Sequence, residues 1–99
     1  MAVRLVLVSE VEQDTAEAFA WYDEQRSGLG EEFLANIETA LEAIRSKPEL
    51  YAIVHENYLR GFVQRFPYGI FYENEDSTVT VYCIIHAARD PAKWRKRMP

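Results

Sequence analysis

Apolar and polar positions follow two rhythms along this chain, and the change falls at Pro48. The opening run Val3-Arg-Leu-Val-Leu-Val8 is almost wholly aliphatic, with one arginine, which predicts a short strand buried on most of both faces. Ser9 follows, with Glu12 three residues on, a capping-box spacing that predicts a helix start. Val11, Thr15, Ala18, Phe19 and Tyr22 then recur on one helical face, while Glu10, Glu12, Asp14, Glu17 and Asp23 fall largely elsewhere. Ser27-Gly28-Leu29-Gly30 turns the chain. A second helix is predicted from about Glu31 to Ser46, with Phe33, Leu34, Ile37, Ala40, Leu41 and Ile44 as its apolar stripe. Glu31 and Glu32 at its start and Arg45 and Lys47 at its end suit the helix dipole, and Pro48 stops it. So short a connection predicts an antiparallel helical hairpin.

From Tyr51 the period becomes two. Tyr51–Val54 predicts a short edge segment and His55-Glu56-Asn57 a turn. Leu59 to Phe66 predicts a strand with Arg60, Phe62, Gln64 and Phe66 on one face. Pro67-Tyr68-Gly69 turns into a further strand at Ile70-Phe71-Tyr72, and Glu73 to Ser77 predicts a solvated hairpin loop. The last strand, Thr78 to His86, is the most apolar. Simple alternation puts Val79, Val81, Cys83 and Ile85 on one side and Thr80, Tyr82, Ile84 and His86 on the other. Both sides are largely apolar, so this strand is expected inside the sheet. Pro91 can open a short terminal helix with Asp90 as its cap. A strand, two helices and then a run of hairpin-linked strands predict an α+β domain, in β-α-α-β-β-β order, with the helical hairpin packed on a twisted antiparallel sheet.

A chain of 99 residues is expected to be a single domain, residues 1–99. Its formal net charge of -5 argues against a generic nucleic-acid binder, so any polyanion site must be local. Cations do cluster late, at Arg60, Arg65, Arg89, Lys93, Arg95, Lys96 and Arg97. The lone cysteine, Cys83, allows no intrachain disulfide and reads as a buried thiol in a reducing compartment. No signal peptide is read at the start, and no run reaches the ~20 apolar residues of a membrane helix. His86 and Asp90 are too few for a metal site, and the absence of a glycine-rich phosphate loop leaves nucleotide binding unsupported. No cofactor is expected.

Several stretches, taken together, resemble one family. They are Ala20-Trp-Tyr-Asp23, Leu29-Gly-Glu-Glu-Phe33, Lys47-Pro-Glu-Leu-Tyr51, Arg65-Phe-Pro-Tyr-Gly-Ile-Phe-Tyr72 and His86-Ala-Ala-Arg-Asp-Pro-Ala-Lys-Trp94. In this order and at this length the chain resembles the RelE/ParE superfamily of toxins from type II toxin–antitoxin modules, which includes the plasmid-stabilisation proteins. The resemblance implies two helices on an antiparallel sheet, a cytoplasmic growth-arresting toxin, and a cognate antitoxin that neutralises it. Oligomers of toxin alone or of toxin with antitoxin both fit that picture. RelE-like members cut messenger RNA on the ribosome, whereas ParE-like members act on DNA gyrase without RNase chemistry.

Each branch implies its own site. Metal-free RNA cleavage needs a base for the 2′-hydroxyl, a cation for the phosphorane and an acid for the leaving oxygen. His86 suits the proton transfers, and Arg65 and Arg89 could hold phosphate bidentately. A target- or antitoxin-binding surface would draw on Arg60, Tyr68, Tyr72, Asp90, Trp94 and Arg95. The bland reading is equally concrete: His86 as a strand-end histidine, Arg89–Asp90 as a local ion pair, and Trp21, Tyr22 and Phe33 as core or groove residues. The acidic balance favours the ParE-like branch, because a ribosomal RNA site calls for net positive charge.

Overall fold

A computed structural model describes residues 3–86 and 91–99. In chain order they form β1 (Arg4–Leu7), α1 (Ser9–Gln25), α2 (Leu29–Ser46), a 3-10 turn (Pro48–Leu50), β2 (Ala52–His55), β3 (Tyr58–Phe62), β4 (Tyr68–Glu75), β5 (Thr78–His86) and α3 (Pro91–Arg97). The strands make one five-stranded sheet in the order β1-β5-β4-β3-β2. The hairpin-linked pairs are antiparallel, and β1 lies parallel to β5. The expected α+β architecture is present, with the first strand as the parallel member of a mixed sheet and Ala52–His55 as a true edge strand.

The helices begin earlier than their sequence signals suggest. Val8 still donates its backbone N–H to Val81 O at 3.1 Å, so the sheet register runs up to the last residue before α1. Ser9 is thereby already helical, and its hydroxyl donates to Glu10 Oε1 at 2.9 Å; the capping box expected with Glu12 does not form. At the other end of α1, Asp23 Oδ1 accepts the backbone N–H groups of Gly28 and Gly30, at 3.0 and 3.2 Å. A carboxylate from the preceding helix thus caps α2, which starts at Leu29. The turn itself needs a left-handed residue, and Gly28 supplies it at φ 91.

Packing follows the helical stripes. Val11 and Ala18 of α1 and Phe33, Ile37 and Ile44 of α2 meet Leu59, Ile70, Tyr72, Val79, Val81 and Ile84 of the sheet. The opposite sheet face carries a second cluster, Phe71, Cys83 and Ile85 under Trp94 of α3. Trp94 stacks on Phe71 at 4.7 Å between ring centroids. The sheet is therefore covered on both faces near β5, which explains why that strand is apolar throughout.

Three local readings of the sequence are corrected. First, β5 does not alternate evenly. Phe71 pairs with Cys83 and Tyr72 with Val81, so Tyr82 is an extra residue, a β-bulge. Beyond it the faces exchange: Val79, Val81 and Ile84 look toward the helices, and Cys83 and Ile85 look toward α3. Secondly, β3 ends at Phe62 rather than Phe66. Val63 to Pro67 form a turn in which Arg65 is left-handed (φ 71), and Val63 and Phe66 both fold into the helix-side core. Thirdly, β4 runs on to Glu75, and the hairpin loop shrinks to Asp76-Ser77, both left-handed at φ 52 and 57.

β5 also outruns its neighbour. It has nine residues against four in β1, so its β1-side edge is unpaired past Val81. Side chains complete that edge. Asp14 Oδ2, from α1, accepts the Ile84 N–H at 3.1 Å, and Arg97, from α3, donates to Tyr82 O at 3.2 Å. Asp14 and Arg97 are joined by two hydrogen bonds, 2.9 and 3.0 Å, with side chains only 10% and 24% exposed. The late cluster of cations is thus split, since Arg97 is held inside the fold.

Two outcomes are expected from this packing. A Cβ on Gly61 would sit 2.6 Å from Cδ1 of the fully buried Ile44. Gly61→Ala should destabilise the fold by about 1–3 kcal/mol. Ile44→Val, which removes that methyl, should give back part of the loss in a double-mutant cycle read by urea denaturation. Burial pushes the Cys83 thiol from an ordinary 9.0 up to about 12. The unfolded chain therefore gives up this proton first: the contribution is complete below pH 9 and fades as pH rises toward 12. Urea midpoints measured across that range should fall less steeply for Cys83→Ala than for the parent chain.

Candidate functional site

The bulge at Tyr82 has a second effect: it turns His86, with Ile84, toward α1. There the end of β5, the start of β4 and one side of α1 enclose a groove of about 440 Å³. α1 contributes Asp14, Glu17, Trp21 and Tyr22; the sheet end contributes Tyr68 and His86; α3 contributes Lys93.

Aromatic rings run through this groove in sequence. Tyr68 is the register partner of His86, and their rings meet edge-on at 5.6 Å. Tyr22 reaches from α1 to within 6.1 Å of Tyr68 and packs edge-on against Phe66 at 4.9 Å. Trp21 stands edge-on to Tyr22 at 5.1 Å and is 52% exposed. An indole left half in water on a helix whose other face is buried is a contact group in waiting. Among the described residues, the charged side chains around these rings are Asp14, Glu17 and Lys93. Asp14 is neutralised by Arg97, and Glu17 accepts from Gln13 at 3.1 Å.

The expected site residues separate. His86 and Tyr68 meet in the groove. Arg65 does not line it. Its Nη2 instead donates to Glu32 Oε1 at 3.0 Å, and Arg26 holds the other oxygen of the same carboxylate at 3.0 Å. Arg65 first, then Arg26, hold the Glu32 carboxyl below the usual range. Arg89 and Asp90 lie outside the described residues. Tyr72, expected at a binding surface, is fully buried and donates its hydroxyl to Pro48 O at 2.6 Å; burial pushes its phenol up. Trp94, expected there too, is 6% exposed and serves as the anchor of α3. Arg95 is exposed and lies over the Trp94 ring at 5.3 Å. Arg60 sits on the α3 side of the sheet, away from the groove, over Phe62.

Asp14, Glu17 and Lys93 were not singled out from the sequence as groove residues, whereas Trp21 was read with Tyr22 and Phe33 as core or groove. One signal was there: Trp21 is a large ring outside the apolar face Val11-Thr15-Ala18-Tyr22, and a tryptophan off the core stripe asks for a partner. The role of Asp14 had no such signal, because it depends on β1 being shorter than β5. Among the described residues no cluster of three or more His, Cys, Asp or Glu side chains could hold a metal ion, and no helix is long and apolar enough to cross a membrane.

Comparison with known proteins speaks to the family and the fold. Residues 5–91 match the family described as the ParE toxin of the type II toxin–antitoxin system parDE. No curated protein sequence gives a significant match. Among solved structures, the chain is similar to one from the chromosomal ParDE toxin–antitoxin system of P. aeruginosa, with a TM-score of 0.76. The identity is 9%, over 86% of this chain and 96% of that one, so this likeness speaks for the fold. With the family matched over nearly its whole length, the chain belongs to the ParE toxin family of type II toxin–antitoxin systems.

Proposed function

We propose that this toxin arrests growth by binding and inhibiting DNA gyrase in the cytoplasm, that it does so without making or breaking a bond, and that a cognate antitoxin neutralises it. The observation that carries this reading is the lining of the groove. Among the described residues, a row of aromatic rings is flanked by Glu17 and Lys93, and by Asp14, whose charge is met by Arg97. A row of rings with so little net charge suits the side chains of a protein better than a chain of phosphates, which calls for several unpaired cations. The net charge of -5 points the same way. Trp21 supplies an exposed ring at the rim, the kind of anchor on which protein interfaces concentrate their affinity.

The rival reading, a ribosome-dependent RNase built on His86 with Arg65 and Arg89, draws less support. His86 has a tyrosine beside it and would suit proton transfer. Phosphate capture would need Arg65 to leave Glu32, to which it is bonded at 3.0 Å, and to swing toward a groove it does not line.

In a supercoiling assay with purified gyrase, the toxin is expected to inhibit, and Trp21→Ala should need about tenfold or more protein for the same effect. Because Trp21 is half-exposed, its removal should leave thermal stability within about 0.5 kcal/mol. Induction in cells should give DNA-break signalling before any loss of messenger RNA. Rapid messenger cleavage that disappears on His86→Ala would overturn the gyrase reading in favour of the RNase. No growth effect would leave a binding module instead.

A further inference from the structure

The arginines of this fold mostly hold carboxylates. Arg26 and Arg65 share Glu32, Arg45 pairs with Glu42, and Arg97 with Asp14. Arg60 is different. It lies mid-strand in β3, on the sheet face opposite α1 and α2, and is half-buried. Among the described residues it has no ion pair, and its Nε is buried with no hydrogen-bond partner. Glu73, an acid on the same face, is occupied: it accepts from Tyr82 at 3.1 Å and from Asn57 at 2.9 Å. A shielded guanidinium donor with nothing to donate to is a costly arrangement for a free-standing domain.

The position is also prepared. Arg60 is half-buried, and its side chain is held against its neighbours. Its guanidinium carbon lies 4.6 Å from the centroid of the Phe62 ring, and Phe62 is itself 57% exposed. Its stem rests on Gly69, where a Cβ would come within 3.3 Å of both Cγ and Cδ. The side chain is therefore laid along the sheet in one posture, with an exposed aromatic beneath the cation. Pre-ordering of this kind lowers the entropic cost of capturing a planar anion.

We propose that Arg60 and Phe62 form a second recognition site, on the face opposite the groove, for an acidic side chain of a protein partner whose neighbouring apolar residue covers Phe62. The carboxylate engages the outer Nη groups of the guanidinium, since Nε is shielded, and the ring beneath supports the cation. The choice of a carboxylate over a phosphate backbone follows from charge. One carboxylate needs one local cation, which Arg60 supplies, whereas a polyanion must also approach a chain of net charge -5.

The test uses the whole chain and the Arg60 Nε–Hε signal in NMR, assigned by its loss in Arg60→Gln. The probes are a short peptide alternating glutamate and leucine, its glutamine counterpart, inorganic phosphate and a single-stranded oligonucleotide. The glutamate peptide is expected to move the Arg60 signal and to bind about tenfold or more tightly than the glutamine peptide. Arg60→Gln should abolish that preference while melting no lower than the parent chain, since an unpaired buried donor is removed. Phe62→Ala should weaken binding with the Arg60 signal still present. An unmoved signal, equal binding of the two peptides, or tighter response to phosphate or oligonucleotide would each overturn the proposal.

Discussion

A nine-residue strand inside a sheet must have hydrogen-bonding partners along both edges, and here one edge neighbour is four residues long. Most of the arrangement at the functional end follows from how that shortage is met. Asp14 takes the Ile84 N–H and Arg97 gives a donor to the Tyr82 carbonyl, so two side chains stand where a strand would lie. To do so, α1 must present Asp14 to β5, and α3 must cross back far enough for Arg97 to reach it. The pair is sheltered, and removing one partner would leave the other as an uncompensated charge beside one bared backbone group. The Asp14 carboxylate is also what raises the affinity of the Arg97 guanidinium for its proton. The contact therefore fixes the distance between α1 and the sheet end, which is the width of the groove.

The bulge at Tyr82 works with this edge. Without the extra residue, Ile84 and His86 would point toward α3, and the helix-side groove would lose the residues at its sheet wall. With it, His86 stands opposite Tyr68 and faces Tyr22 and Trp21 of α1. The bulged residue is itself held, since Tyr82 donates to Glu73 and stands edge-on to Tyr58 at 5.8 Å. Bulges often re-aim side chains next to working surfaces, and this one does so by a single-residue shift.

How much of this was legible in the sequence differs by scale. The helical hairpin could be read because Phe33, Ile37 and Ile44 keep one period over a whole helix, and that period needs no tertiary information. The strands could be read because Pro48 ends the helices and the chain then changes period. What escaped depended on pairing. The β5 face exchange needs the β4 register, and the two-residue turn at Asp76-Ser77 was hidden by the polar strand residues Glu73 to Glu75 that precede it. The site was less legible than the fold for the same reason. Tyr72, Trp94 and Arg65 all have side chains that recognition surfaces use, yet they are taken up by Pro48, Phe71 and Glu32, partners distant in sequence or set across a turn. Residue type told what each could do, and only tertiary pairing told which were already engaged.

That distinction bears on where the toxin can meet other molecules. Of the late cations that looked like one cluster, Arg97 is locked to Asp14, Arg65 to Glu32, and Arg95 lies over Trp94. Lys93 faces the groove, and Arg60 faces the other side of the sheet. The sheet thus carries two different surfaces back to back: an aromatic groove against α1, and a cation on an aromatic ring on the α3 side. Trp94 and Arg97 tie α3 to both, one through Phe71 and one through Asp14. A partner that shifted α3 on one face would therefore pull on Asp14 at the other, because the same short helix holds the stacking contact and the edge-completing guanidinium.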